Sequence, residues 1–313
     1  MAFDVSSLTA YVDESAMALI VQSVAGGNLA QYATLQTGVK GPTTINLLDT
    51  DATFQDAGCG RSASGTTTLS QRTITPNAIA VYEDLCMADL EATYLNHQLR
   101  AGVTGELEEI PFAEQYFALK IAKIKKQIEV KDWVGVAGAG SYAGLAAQAS
   151  AVVEINPASA GALVAAASGN GVIAAFCKMA ENMDEDIAGA DDIKLFCGMD
   201  TFLMYQRAIA DGNYFHYVVD GQVGNELPLV GFPQVTVVGT VGLTGTNTGV
   251  AGDVCAYLTR ASNIVIGVDL PDEEANDYRA WYSEDDRIFK TSFCFRRGIN
   301  WAFPTEANRL KLT

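Results

Sequence analysis

Residues Ile110–Val134 read IPFAEQYFALKIAKIKKQIEVKDWV, and the rest of the chain is organised around this stretch. Ile110, Ala113, Phe117, Ile121, Ile124 and Ile128 recur at helical spacing and form one apolar stripe. The spacing predicts a single helix about 35 Å long, at about 1.5 Å per residue. Pro111 stands in the first turn, where a missing N–H costs nothing. Glu106, Glu108, Glu109 and Glu114 crowd the start, and Lys120, Lys123, Lys125, Lys126 and Lys131 load the second half. This polarity complements the helix macrodipole at both ends. Gly135 and Gly138 mark the end. Phe112, Tyr116 and Leu119 lie opposite the stripe, so the first half can be covered on two faces. The second half should lie on a sheet with its lysines turned outward.

The 313 residues suffice for two domains and a sizeable core. Hydrophobic residues make up 49%, which sets disorder aside as the default. A formal net charge of −17 argues against a sequence-reading nucleic-acid binder and leaves only a local basic face for such contact. Cys59, Cys86, Cys177, Cys197, Cys255 and Cys294 are scattered singly, without a CxxC pair or zinc spacing. They read as small buried hydrophobes in a reducing compartment, with no metal and no cofactor expected. The opening MAFDVSSLTAYVDES has acids and no basic n-region, so a signal peptide is not expected. The alanine-rich stretch 143–167 is interrupted by Glu154, Asn156 and Pro157, which argues against a membrane span.

Taken in order, 9–24 reads as a short amphipathic helix with Val12, Ala16, Leu19 and Ile20 on one side. Gly26-Gly27 ends it, and an extended piece leads on to Thr37. Residues 38–75 contain the strand-like runs TTINLLD, ATFQDAG and TTTLSQRTIT around a Gly/Ser tip at 58–65. A hairpin this polar cannot form its own core, so it must lie across another part of the chain or another subunit. A strand is expected over 77–82 and a helix over 85–100, with Leu85, Ala88, Ala92, Leu95 and Leu99 in step. A second helix is expected over 171–187, capped by Ser168 or Asn170. Then come the strand IKLFCG, a helix near 201–210, the aromatic extended run NYFHYVV, the strand PQVTVVGTV and a Gly/Thr loop over 242–252. From 289 to 303, Phe289, Thr291, Phe293, Phe295, Ile299, Trp301 and Phe303 alternate with polar residues, which is a long strand with one apolar face. Arg297 breaks that face once and calls for an edge or a charge partner. The run 263–270 is the expected neighbour of this strand, linked through the acidic excursion 271–286. The architecture is α+β.

Motifs that carry chemistry are weak. Gly138-Ala139-Gly140-Ser141-Tyr142-Ala143 and Gly169-Asn170-Gly171-Val172-Ile173-Ala174 match a relaxed dinucleotide fingerprint. The first lacks the preceding strand and the second lacks a later acid at the right distance, so both read as loops or helix starts. His97 and His216 have no nucleophile nearby in the sequence, and no cysteine has a flanking basic motif. The acids Asp269, Asp272, Glu273, Glu274, Asp277, Glu284, Asp285 and Asp286 do not fit an EF-hand loop. They read as a solvated loop, with a subunit contact as the second choice. The lysines of the long helix read as a solvated face or as the chain's one anion-facing surface. No catalytic, cofactor-binding or metal residue is assigned.

The order of these parts resembles the major capsid proteins of tailed phages, the Hong Kong 97-type fold, over nearly the whole chain. The resemblance implies an N-terminal arm at 1–37, an extended β-hairpin loop at 38–75, and a peripheral domain at 76–140 and 262–303 whose spine helix is 110–134. It implies an axial domain at 141–261 and 304–313, with RRGINWAFPTEANRL closing the chain as the family closes. It further implies a structural protein, not an enzyme, that self-assembles into hexamers and pentamers of an icosahedral virion shell. The expected partners are portal, scaffold and decoration proteins and, through weak non-specific contact at Lys123 and Lys126, packaged double-stranded DNA. Such a protein would be made in the host cytoplasm and would touch no membrane. Lys40 is the only lysine before Lys120, so a loop-lysine cross-link of the kind some members form has no support. Two other readings stay open: an encapsulin-like compartment of the same fold, and a soluble nucleotide-dependent enzyme.

Overall fold

The computed structural model describes residues 29–50, 54, 65–86, 110–157, 163–166, 171–185, 187–214, 224–245, 254–269, 278–283, 285–286 and 288–312. The expected helix over 9–24, all but Gly65 of the hairpin tip at 58–65, and residues 215–219 of the aromatic run 213–219 lie outside them.

The long helix, α1, spans Ile110–Val134 as its periodicity predicts. Phe117, Ile121, Ile124 and Ile128 are buried, and the stripe's side chains before Phe117 fall outside the described residues. Leu119, on the opposite side, is 67% exposed, so that face is open at Leu119 in the protomer.

Beneath α1 lies a sheet of β1 (Thr34–Gln36), β4 (Asn77–Cys86), β10 (Ile264–Val268), β11 (Tyr278–Ser283) and β12 (Ile288–Trp301). Along β12 the residues alternate between half-buried and buried as far as Arg297 and are all buried from there to Trp301, and Phe289, Phe293, Phe295, Ile299 and Trp301 share one core with the α1 stripe. Arg297 stands opposite both Val268 and Asn77, and Phe289 stands opposite both Tyr282 and Leu85. Hence β10 and β11 run end to end along one side of β12, and β4 lines the other. The predicted neighbour of β12 is thus in place. The strand itself stops at Trp301, because Pro304 begins a 3-10 turn, and Phe303 packs instead against the core on the sheet's other face.

β4 runs to Cys86, where the sequence predicts a helix over 85–100. Its side chains alternate down to Leu85, with Ile79, Val81 and Leu85 turned to the α1 core. Period two therefore governs Leu85, the strand pairing runs on through Cys86, and the remainder of the expected helix lies outside the described residues.

A second sheet holds β5 (Val153–Ile155), β6 (Ile193–Gly198), β7 (Glu226–Leu229), β8 (Phe232–Thr240), β9 (Val254–Arg260) and β13 (Asn308–Lys311), in the order β5-β13-β9-β6-β8-β7. Helices α2 (Val172–Glu181) and α3 (Met199–Asp211) share a core with it. α2 is shorter than the predicted 171–187. Asn182 closes it, and Asp184 and Glu185 beyond would oppose the negative end of the helix dipole. Its cap is the extended backbone of Gly171, with no side-chain cap bond, in place of the expected Ser168 or Asn170. The remaining pair, β2 (Thr43–Thr50) and β3 (Thr67–Ile74), forms the antiparallel hairpin that the polar run 38–75 predicts.

Candidate functional site

The last turns of α1 are wedged between the two sheets. Asp132 and Arg297 are both 0% exposed; Arg297 Nε donates to Asp132 Oδ1 at 2.9 Å and Nη2 to Oδ2 at 2.6 Å. The Tyr142 hydroxyl also donates to Asp132 Oδ1. Burial alone would disfavour the charged guanidinium, but the Asp132 charge offsets that and holds Arg297 above its ordinary range. Burial, with the Asp132 charge added, pushes the Tyr142 phenol well up. This is the charge partner that the break in the β12 pattern calls for. Almost one turn earlier in the helix, Glu129 accepts the Val241 N–H at 2.9 Å, beyond the end of β8. Trp133 stacks on Tyr257 with centroids 5.3 Å apart and tilts against Phe196 at 5.4 Å. One helix end thus ties both sheets into a single body. No local motif announces this, because Asp132 and Arg297 are 165 residues apart.

The hairpin roots on the face of the sheet away from α1. Gly267 and Gly298 are cross-strand partners. A Cβ at Gly298 would lie 2.9 Å from Pro76 Cα and 3.0 Å from Ile74 Cγ2, so only a bare strand pair lets the hairpin base sit this close. Asn300 Nδ2 donates to Thr73 O at 2.8 Å, and Leu47, Ile74, Val265 and Ala302 close a small core there. Farther out the hairpin is uncovered. Leu48 and Leu69 are register partners and are 64% and 74% exposed.

All the described lysines of α1 lie off its buried stripe. Lys123 and Lys126 are exposed, Lys125 and Lys131 are half-buried, and Lys120 pairs with Glu83 of β4. The two acids of its second half, Glu129 and Asp132, point inward. The outer surface of that half is therefore cationic on a chain of net charge −17. Beside it, between α1 and β4, runs a groove of about 530 Å³. Its floor is Ile79, Val81 and Phe295, and Lys120, Lys123 and Lys131 stand on its rim.

The remaining sequence candidates do not converge. Gly138 and Ser141 pair across a tight turn held by Asn77 Nδ2, which donates to both of their carbonyls. Gly171 opens α2, but the Val172 N–H is taken by Val164 O at 3.0 Å. Asp269 is buried, and Asp286 pairs with Lys290. Cys177, Cys197 and Cys294 are thiols outside any disulfide. His97, His216, Cys59, Asp272, Glu273, Glu274, Asp277 and Glu284 lie outside the described residues. Among the described residues no group of His, Cys, Asp and Glu could hold a metal ion, and no helix is long and apolar enough to cross a membrane.

No family model matches the chain, and no curated protein matches it. Solved structures do. The capsid of Myoviridae phage XM1 is similar at 14% identity over 91% of both chains, with a TM-score of 0.57. A chain of Gordonia phage Cozz is similar at 11% identity over 92% of this chain and 87% of that one, with a TM-score of 0.59. The capsid of an empty GTA particle is similar at 13% identity over 92% and 90%, with a TM-score of 0.57. At such identities the likeness is one of fold. The chain has the α+β fold of phage capsid proteins, as the resemblance in its sequence implies.

Proposed function

We propose that this chain is a major capsid protein that self-assembles, in hexamers and pentamers, into the icosahedral head of a tailed phage. The observation that carries the reading is the end-to-end likeness to a phage capsid chain, 91% of each. The hairpin supports it, since β2 and β3 leave the body with Leu48 and Leu69 uncovered, as an element made to rest on a neighbour would. In this reading 1–37 is the arm, 38–75 the extended loop, 76–140 with 262–303 the peripheral domain, and 141–261 with 304–313 the axial domain. The two sheets support that division, because β4, β10, β11 and β12 fall in one part and β5–β9 with β13 in the other.

The shell would enclose double-stranded DNA. A net charge of −17 per chain suits a container that must not hold a polyanion fast, because phosphate contacts multiply over a shell. The exposed lysines of α1, Lys123 and Lys126, would supply a weak screened attraction. Portal, scaffold and decoration proteins would be the other partners, and the protein would reside in the virion. Electron microscopy of the purified protein, with its nucleic acid content measured, tests this. Closed particles from a lysate that retain DNA support it. Closed particles that carry protein cargo and no DNA would replace it with a compartment of the encapsulin type. A monomer that binds a nucleotide would replace it with an enzyme.

A further inference from the structure

One rank of side chains crosses the second sheet from β5 to β6. Glu154 of β5 stands opposite Arg309 of β13, Arg309 opposite Tyr257 of β9, and Tyr257 opposite Phe196 of β6. Residues opposite one another on paired strands point to the same face of a sheet. Here the end of α1 covers that face. Trp133 stacks on Tyr257 with 25° between the rings, and the Trp301 ring of β12 lies 5.7 Å from Tyr257, centroid to centroid.

Two polar atoms of this rank reach no partner among the described residues. The Tyr257 hydroxyl and Arg309 Nε are both buried and make no hydrogen bond. The far end of Arg309 is engaged: Nη2 donates to Glu154, which also pairs with Lys311 at 3.3 Å. One carboxylate thus serves two cations, and the corner keeps an excess of positive charge. The rings beside Tyr257 offer nothing to accept a proton. Phe196 has no polar atom, the indole N–H of Trp133 can only donate, and Trp301 Nε1 already donates to Leu145 O at 3.0 Å. Burial pushes the Tyr257 phenol up and the Arg309 charge draws it part of the way back, so the two groups are close neighbours. Two stranded donors side by side each carry a desolvation cost, and a single acceptor between them settles both.

We propose that Tyr257 and Arg309 hold a small acceptor between them, an internal water molecule or a halide ion, bound by the Tyr257 hydroxyl and Arg309 Nε. Either species is one heavy atom that takes both hydrogen bonds. A water does so as a fixed part of the fold. A halide does so and also offsets the excess charge of the corner. The bound acceptor fastens β13 to β9 beneath the end of α1, at the joint between the two sheets. The site belongs to the folded subunit and stands whether or not the chain builds a shell.

Tyr257→Phe tests the site, because it removes one oxygen and keeps the stacked ring. A hydroxyl that is merely stranded costs stability, so its removal would leave the folding constant equal or higher. A hydroxyl that holds an acceptor is missed, and the folding constant should fall about tenfold. Arg309→Lys keeps the positive charge and removes Nε. In that background Tyr257→Phe should lose most of its effect, since the shared acceptor is already lost. If Arg309→Lys does not fold, the sign of the Tyr257→Phe effect decides alone. Unfolding midpoints at one ionic strength in sodium chloride, bromide and gluconate then name the species. A halide raises the midpoint of the parent over gluconate and not that of Tyr257→Phe, whereas a water leaves the three salts alike. Tyr257→Phe as stable as the parent or more so, or an equal loss in both backgrounds, would overturn the site.

Discussion

Arg297 of β12 and Asp132 of α1 form a bidentate ion pair with no exposed side-chain surface, capped by the Tyr142 hydroxyl. A pair like this costs desolvation on both sides, and losing one partner leaves the other charge stranded. Asp132→Ala should therefore destabilise the protomer by about 3–5 kcal/mol in a denaturant titration. Asp132→Leu with Arg297→Met, which removes both charges and keeps volume, should cost clearly less. A double variant as unstable as the single one would show that the pair matters for more than charge balance.

The hairpin root predicts an order of effects. A Cβ at Gly298 would meet Pro76 backbone atoms at 2.9 and 3.0 Å, whereas one at Gly267 would meet only side chains, the nearest being Ile74 Cγ2 at 3.1 Å. Backbone cannot give as a side-chain methyl can. Gly298→Ala should cost about 1–3 kcal/mol and block assembly by redirecting the hairpin, and Gly267→Ala should do less of both. Equal melting temperatures and equal assembly for the two variants would show that the root does not direct the hairpin.

The two faces of α1 should respond differently to truncation. Ile124 is 7% exposed among the β12 aromatics, so Ile124→Ala should cost about 2–5 kcal/mol. Leu119 is 67% exposed, so Leu119→Ala should stay within about 0.5 kcal/mol in the unassembled subunit. Denaturant midpoints of the two variants check the contrast.

Alkaline pH should unfold the protein. Burial pushes the Tyr257 phenol up to about 12 and raises Tyr142 and Tyr205 as well. In the unfolded chain a phenol titrates near about 10. Below that pH both states keep their protons and the stabilisation is complete. Above it the unfolded chain loses protons that the folded chain keeps, so stability falls as pH rises from about 10 towards 12. Tyrosinate absorbance and circular dichroism tracked together should show these phenols ionising only as the fold is lost. Their full ionisation near pH 10 with the fold intact would contradict the burial.

Much of this architecture is legible from strong local periods. The stripe from Phe117 to Ile128 and the alternation from Phe289 to Trp301 each need a one-sided cover, and each covers the other. The sequence also marks the hairpin by what it lacks, since threonine-rich strands with few apolar residues cannot close a core. Boundaries are less legible where two periods overlap. Leu85 fits both a helix with Ala88 and a strand with Ile79 and Val81, and only pairing with β12 settles it. The surfaces that matter most are invisible in the sequence. Asp132 with Arg297, Gly267 with Gly298, and Leu48 with Leu69 are relations between distant residues, and no window along the chain contains their cause. The groove likewise exists only because α1 leaves part of β4 bare.

Whether this chain builds a closed shell is decided by imaging purified protein across assembly conditions, with scaffold added where needed. Hydrogen exchange read in parallel reports on the hairpin strands 43–50 and 67–74. Closed icosahedral particles are expected, with those amides exchanging fast in the free subunit and protected in the particle. A protein that stays a monomer or a small oligomer under every condition, with equal hairpin exchange throughout, would contradict the shell.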